Sequence, residues 1–207
     1  MKKIVVLLGI LLCGTGVAFA QSGLRVGDNY ISISLGGGNS TDKVEQVNWG
    51  NKGGFAYGVQ IMTLLSPQFA FGFGVEGANF SPASTISYYE GYKINERIDS
   101  SILNVMLAGR FYITQNASRI YIPIGMGMGR ARFEIDYFAD DERFLNVKES
   151  STGHAWYVGL GIESEFSNNV IFGIEGRLNG QNIEIDLTQE TYDVHYITVA
   201  ARLGYKF

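Results

Sequence analysis

The chain has 207 residues, of which 46% are hydrophobic and only 17% charged, with 27 Gly, 12 Tyr, 13 Phe and 3 Pro. That composition is too apolar for a disordered segment, and a net charge of -4 argues against an electrostatic nucleic-acid binder, which needs a basic stripe. Mean hydropathy is near zero at +0.06, and the one long apolar run lies within the first twenty residues, so no spanning helix is expected in the rest.

The first element is a targeting segment. Met1-Lys2-Lys3 is a short positive region, Ile4 to Leu12 an apolar core, and Ala18-Phe19-Ala20 a small-x-small cleavage site, which together read as a secretory signal peptide over residues 1–20 with Gln21 as the mature start. Cys13 does not make a lipoprotein site, because Leu12 stands where a small residue is needed. The expected mature chain, residues 21–207, holds no cysteine, and losing Lys2 and Lys3 leaves 14 bases against 20 acids. Without disulfides, an exported domain must find its stability elsewhere.

From there the chain alternates with period two, which predicts strands. In order, Ile31, Ile33 and Leu35 alternate with small polar residues; then Phe55, Tyr57, Val59 and Ile61; Phe69, Phe71, Phe73 and Val75; and Leu103, Val105, Leu107 and Phe111. The second half repeats the pattern with Ile120, Ile122, Ile124 and Met126; Trp156, Val158, Leu160 and Ile162; Phe172 and Ile174; and Ile197 through Phe207 at every second position. Pro123 is a misfit in a ladder, and a bulge near the start of its strand is expected to absorb it. Short turns are predicted near Leu65 to Gln68, Thr114 to Ser118 and Ser167 to Asn169. Long polar loops are predicted over Asn39 to Gly53, Ser81 to Arg97, Ala139 to Gly153 and Asn179 to Thr191. Eight strands joined by tight turns at one end and long loops at the other predict an all-β, eight-stranded antiparallel up-and-down transmembrane β-barrel. A soluble sandwich or lipocalin would also alternate, but its solvent face would not be built from Gly, Ala, Ser and Tyr; these suit a crowded lumen, with the large apolar face turned to lipid.

The last nine residues, Val199 to Phe207, alternate and end on an aromatic; Tyr205 and Phe207 resemble the terminal assembly signal of bacterial outer-membrane barrels. With the signal peptide and the strand count, the mature chain resembles the small OmpA/OmpX-type family of Gram-negative outer membranes. The resemblance implies an outer-membrane location, recognition by the barrel-assembly machinery and a lipid environment, with both chain ends periplasmic. It does not name a ligand, since that family hosts many functions on one fold. No appended cell-wall-binding domain is expected, as the sequence ends on its last strand.

Parity places Glu76, Glu163, Glu165 and Glu175 in the lumen with Arg110, Arg177, Arg202 and Lys206. Eight strands leave room only for side chains, and charges there must pair, so an ion-pair network that plugs the barrel is expected; a gated ion path is the functional alternative. Farther along, the parity inverts. Phe80, Ile98, Phe133, Ile135, Tyr137, Ile183, Ile185, Leu187, Tyr192 and Val194 carry inward parity, while Arg132, Glu134, Asp136, Glu184 and Asp186 turn outward. Strands leaving lipid for water would do this, which predicts a projecting barrel with an apolar upper interior. That interior either stabilises the hairpins or forms a cup for a small hydrophobic molecule or lipid.

The last two loops are acidic, with five acids against two bases between Asp136 and Gly153 and four acids without a base between Asn179 and Asp193. No calcium-loop spacing occurs there, and projecting edges at Arg132 to Phe138 and Ile183 to Leu187 could pair with a partner strand. Catalysis is not expected. His154 and His195 lie on strands separated by another, with Ser150 and Ser151 the nearest nucleophiles, and no cofactor or metal site is read. Two readings stand: a structural or surface-interaction protein acting through its outer loops, expected to be monomeric and to meet a host or surface protein; and a binder or conduit for a small hydrophobic molecule.

Overall fold

The computed structural model describes residues 25–41, 53–89, 92–114, 118–139, 142–166, 169–185 and 190–207. The cleavage-site residues Ala18, Ala20 and Gln21, and Leu187 of the upper interior, lie outside them, as do the side chains of Ile185 and Tyr192.

Eight strands run in chain order: β1 Asn29–Ser40, β2 Gly53–Ser66, β3 Phe69–Tyr89, β4 Tyr92–Tyr112, β5 Ser118–Ala139, β6 Glu142–Glu165, β7 Val170–Ile185 and β8 Glu190–Lys206. Each pairs antiparallel with the next, and β8 returns to β1 through a register running from Tyr30 opposite Lys206 to Ser40 opposite Tyr196, which closes the barrel. Closure satisfies the backbone without leaving an edge in lipid. Gly27, with φ of +93°, turns the chain into β1, and its amide donates to the Leu64 carbonyl.

Period-two alternation becomes a two-faced wall. Phe73, Val105 and Met126 keep about two thirds of their surface exposed on the outside, whereas Met62, Met106 and Tyr121 on the inside are fully buried. Large apolar side chains left open on a continuous outer band, over a polar interior, require a solvent of lipid. Aromatic rings fill the gaps left by glycines directly across the ladder: Tyr57 lies over Gly77 and Trp156 over Gly180 outside, and Tyr157 over Gly125 and Tyr121 over Gly161 inside. A Cβ at any of these glycines would collide with the ring.

The strands end where the sequence places the tight turns, but three of the expected long loops are largely strand. Ser81 to Arg97, Ala139 to Gly153 and Asn179 to Thr191 continue as β3–β4, β5–β6 and β7–β8 hairpins. Their polar residues are the outward half of strands in water, not loop residues, so composition alone misreads them. The fourth expected loop falls mostly outside the described residues. Pro123 is also accommodated differently from the expected bulge. The β5–β6 ladder passes from Tyr121 opposite Gly161 to Ile124 opposite Val158 with the register unchanged, so the missing N–H interrupts the pairing without adding a residue. A bulge instead falls between Phe80 and Ala83 on β3, the stretch that holds Ser81 and Pro82.

Among the described residues, ladder pairing runs round the whole ring only in its lower part. Pairing of β2 with β3 ends at Gly54 and Phe80, and pairing of β6 with β7 ends at Ala155 and Gln181. Above, β3 to β6 continue as a projecting four-stranded sheet and β7–β8 as a hairpin beside it, with Asn182 still against Gly153.

Candidate functional site

The lumen is filled from the turn end upward by a continuous polar network. Lys206 donates to Glu165 at 2.8 Å and approaches Asp28 at 3.7 Å. Above it, Glu163 collects Arg110 at 3.3 Å, Arg202 at 3.5 Å, Arg119 at 3.9 Å and the Tyr112 hydroxyl at 2.9 Å. Arg110 also donates to Gln60 at 2.5 Å and to the Tyr30 hydroxyl at 3.0 Å, with its guanidinium over the Tyr30 and Tyr121 rings. Arg202 donates to Ser32 and to the Tyr121 hydroxyl, which in turn donates to Glu175 at 2.8 Å. Arg177 bonds Glu175 and, at 2.5 Å, Glu76, and stacks on Tyr157 with its carbon 4.1 Å from the ring centre. All eight charged residues read from parity thus lie in the lumen. Arg119 and Asp28, which that reading left out, bring the set to five cations and five carboxylates. Arg119 precedes the apolar run by one residue, and its shared parity with Tyr121 is the signal that finds it.

A cavity of about 30 Å³, lined by Ser34, Glu76, Arg177 and Tyr196 among others, interrupts this packing, a space of the size of a water molecule. Just above, Asn104 donates to the Tyr196 hydroxyl, while neither polar atom of the buried Gln181 amide finds a partner among the described residues.

Higher still the interior turns apolar. Phe80, Ile98, Ile102, Phe133, Ile183, Val194 and Tyr196 are buried, with Phe80 edge-on to Tyr196 at 5.5 Å. Ile135 and Tyr137 are half-buried. Outside, Glu134 and Asp136 of the β5–β6 hairpin are paired. Lys148 bonds Glu134 at 2.8 Å, Arg143 bonds Asp136 at 3.2 Å, and the Asn146 amide donates to both acids. The hydrogen bond from Lys148 holds Glu134, and that from Asn146 holds Asp136, below the ordinary carboxylate range. His154 is exposed on β6, and His195 on β8 packs edge-on against Trp156 at 5.9 Å; Ser150 accepts from Arg130.

Known proteins extend these observations. Neisserial surface protein A superposes with a TM-score of 0.56 at 15% identity, covering 86% of this chain and 97% of that one. A major outer membrane protein from Thermus thermophilus superposes at 0.50 with 9% identity, over 86% and 99%. Ail of Yersinia pestis, solved with the heparin analogue sucrose octasulfate, reaches 0.49 at 16% identity over 88% and 100%. No curated protein matches the sequence. The family model of the outer membrane protein β-barrel domain matches residues 5–207. The closed antiparallel ring, its lipid-facing band and this match agree, and the chain belongs to the outer membrane protein β-barrel domain family, a transmembrane barrel of the cell outer membrane.

Proposed function

We propose that the protein is a sealed outer-membrane scaffold whose projecting hairpins engage a partner at the cell surface, without catalytic chemistry. The observation that carries this reading is the lumen. Arg110, Glu163, Glu175 and Arg202 are all buried and bonded across it, and the apolar cluster from Phe80 to Val194 caps them. An ion crossing would have to break several buried pairs, each costing about 3–5 kcal/mol when one partner is lost. Reconstituted in planar bilayers, the protein should show no sustained channels at modest voltage; steady conductance would defeat the plug.

Above the membrane the work falls to the hairpins. The edge of β6 above His154 has no pairing on its β7 side among the described residues, and the edge of β3 above Phe80 none on its β2 side. Unpaired edges of this length accept a partner strand through backbone hydrogen bonds. Expressing cells should adhere to their target surface, and Val147→Pro on the β6 edge should abolish adhesion while leaving the inserted barrel intact. The protein is read as a monomer in outer-membrane lipid, delivered by the barrel-assembly machinery through its final strand. Tyr205 and Phe207 stand exposed on the lipid side of that strand, and Phe207→Ser should slow insertion.

The β6–β7 seam favours a second reading. Ladder pairing lapses there above Ala155 and Gln181, with the Asn182 carbonyl still against Gly153, next to the buried Ile183 of the apolar cluster. Uptake of a small hydrophobic molecule there would protect a lipophilic dye from a water-soluble quencher, and Ile183→Asp would remove the protection. An equally quenched dye in both proteins would leave the interior as packing alone.

A further inference from the structure

Cations on the projecting hairpins and in the lumen are matched to carboxylates almost everywhere. Arg97 pairs with Asp99, Arg143 with Asp136 and Lys148 with Glu134, and Arg110, Arg119, Arg177, Arg202 and Lys206 all hold acids in the interior. Lys93 near the β3–β4 tip is one exception among the described residues, and Arg130 and Arg132 are a pair of others. They lie two residues apart on the outer face of β5, both exposed, and among the described residues neither meets a carboxylate. Arg130 donates only to the Ser150 hydroxyl, at 2.9 Å.

Their height on the barrel is as telling as their lack of partners. Met126 and Met128 end the continuous lipid-facing apolar run on this face of β5, more than half exposed; Arg130 follows directly, then Arg132, Glu134 and Asp136. Across the ladders stand Leu103 and Thr152 beside Arg130, and Ser101 and Ser150 beside Arg132, so hydroxyls and not acids flank the pair. The acids one step higher, Asp99 and Glu134, are already taken by Arg97 and Lys148. Same-face residues two apart on a strand are about 6.6 Å apart, a span that two guanidinium forks can close on one phosphate from both sides. Tight turns at the opposite end of the barrel set the projecting hairpins outside the cell, so this pair stands where outer-leaflet headgroups begin.

We propose that Arg130 and Arg132, with the hydroxyls of Ser150 and Ser101, form a docking site for the phosphate of an anionic outer-leaflet lipid headgroup. The acidic hairpin tips repel anions higher up, which confines the attraction to the membrane boundary. The site lies outside the lumen and is independent of the sealed-scaffold reading.

The test is native mass spectrometry of the full barrel in neutral detergent, doped with a bisphosphorylated glucosamine lipid, phosphatidylglycerol or phosphatidylcholine. The phosphorylated glycolipid should be retained, phosphatidylcholine should not, and the Arg130→Gln/Arg132→Gln double variant should retain about thirty-fold less, from roughly a tenfold or smaller loss per arginine near a charged surface. Arg130→Lys/Arg132→Lys should recover part of the retention. Arg97→Gln/Arg143→Gln, which removes two cations already paired, should retain as much as the parent. Inorganic phosphate at millimolar concentration should not displace the lipid; displacement with equal loss in both Gln variants would mark a general charge effect and overturn the site. Equal retention by parent and the Arg130→Gln/Arg132→Gln variant would also overturn it. Heat-shifted gel mobility of each variant establishes that the barrel is folded in every arm.

Discussion

Glu163 is the residue on which the lumen turns, since three arginines and a tyrosine hydroxyl converge on one carboxylate. Glu163→Gln leaves buried guanidinium charge without its counterion, and the loss should be about 3–5 kcal/mol in urea unfolding from lipid vesicles. Gln181 presents the opposite case. Its amide is buried between the polar network and the apolar cap with both polar atoms unpaired among the described residues, so Gln181→Leu exchanges an unsatisfied group for an apolar one beside Ile183. That variant should be neutral or stabilised by about 1 kcal/mol in the same assay. Gly161 gives a third residue-scale outcome. Gly161→Val would displace the Tyr121 ring that lies over it and with it the hydroxyl linking Arg202 to Glu175. The cost should exceed that of Gly27→Val, where a Cβ meets nothing and only the positive φ is strained. Parity read from the sequence locates the charged lumen residues one by one, but it does not show which acid meets which base, because partners such as Arg110 and Glu163 are 53 residues apart and meet only across the closed ring.

At the scale of strands, the inversion of parity is where sequence reading goes farthest and also where it misleads. The same residues that mark an inward apolar stripe on β5, Phe133, Ile135 and Tyr137, alternate with Arg132, Glu134 and Asp136, and this alternation continues through segments whose polarity reads as loop. A strand in water has half its residues polar, and so has a loop; only pairing distinguishes them. The bulge between Phe80 and Ala83 shifts the register by one residue, so even positions face inward below it and Ala83 does so above. No local signal but Pro82 announces it. The β5–β6 hairpin also carries a pH dependence. Glu134 and Asp136 are held below the ordinary carboxylate range in the folded hairpin, so their stabilisation is complete above the unfolded value and is lost as pH falls through the lowered folded value. The side-chain amide resonances of Asn146, which donates to both acids, should therefore titrate with a midpoint below that of a free carboxylate. A midpoint at the ordinary value would show that the bonds do not persist in solution.

Over the whole molecule, two solvents meet one ring. The closed lower barrel satisfies its backbone against lipid, and the upper sheet opens into water, where edges are tolerated. The two parts should therefore separate in their tolerance to change. Deleting residues 134–149 and joining the strands with a short turn should leave heat-shifted gel mobility and protease resistance of the inserted barrel unchanged, because the lumen network and the β8–β1 closure lie below the cut. Loss of insertion would show that the projecting sheet is part of the folding unit. The strand number, the lipid-facing side of every strand and the charged composition of the lumen follow from the sequence by itself, since period-two alternation against a known pleat leaves only the identity of the outer solvent to decide, and the glycine-rich face decides it. The tertiary structure alone settles where the ring ends and the open sheet begins, the bulge on β3, the entry of Arg119 and Asp28 into the network and the aromatic cover over Gly77, Gly125, Gly161 and Gly180. All of these depend on which residue stands opposite which, and register is a property of two strands that neither strand carries alone.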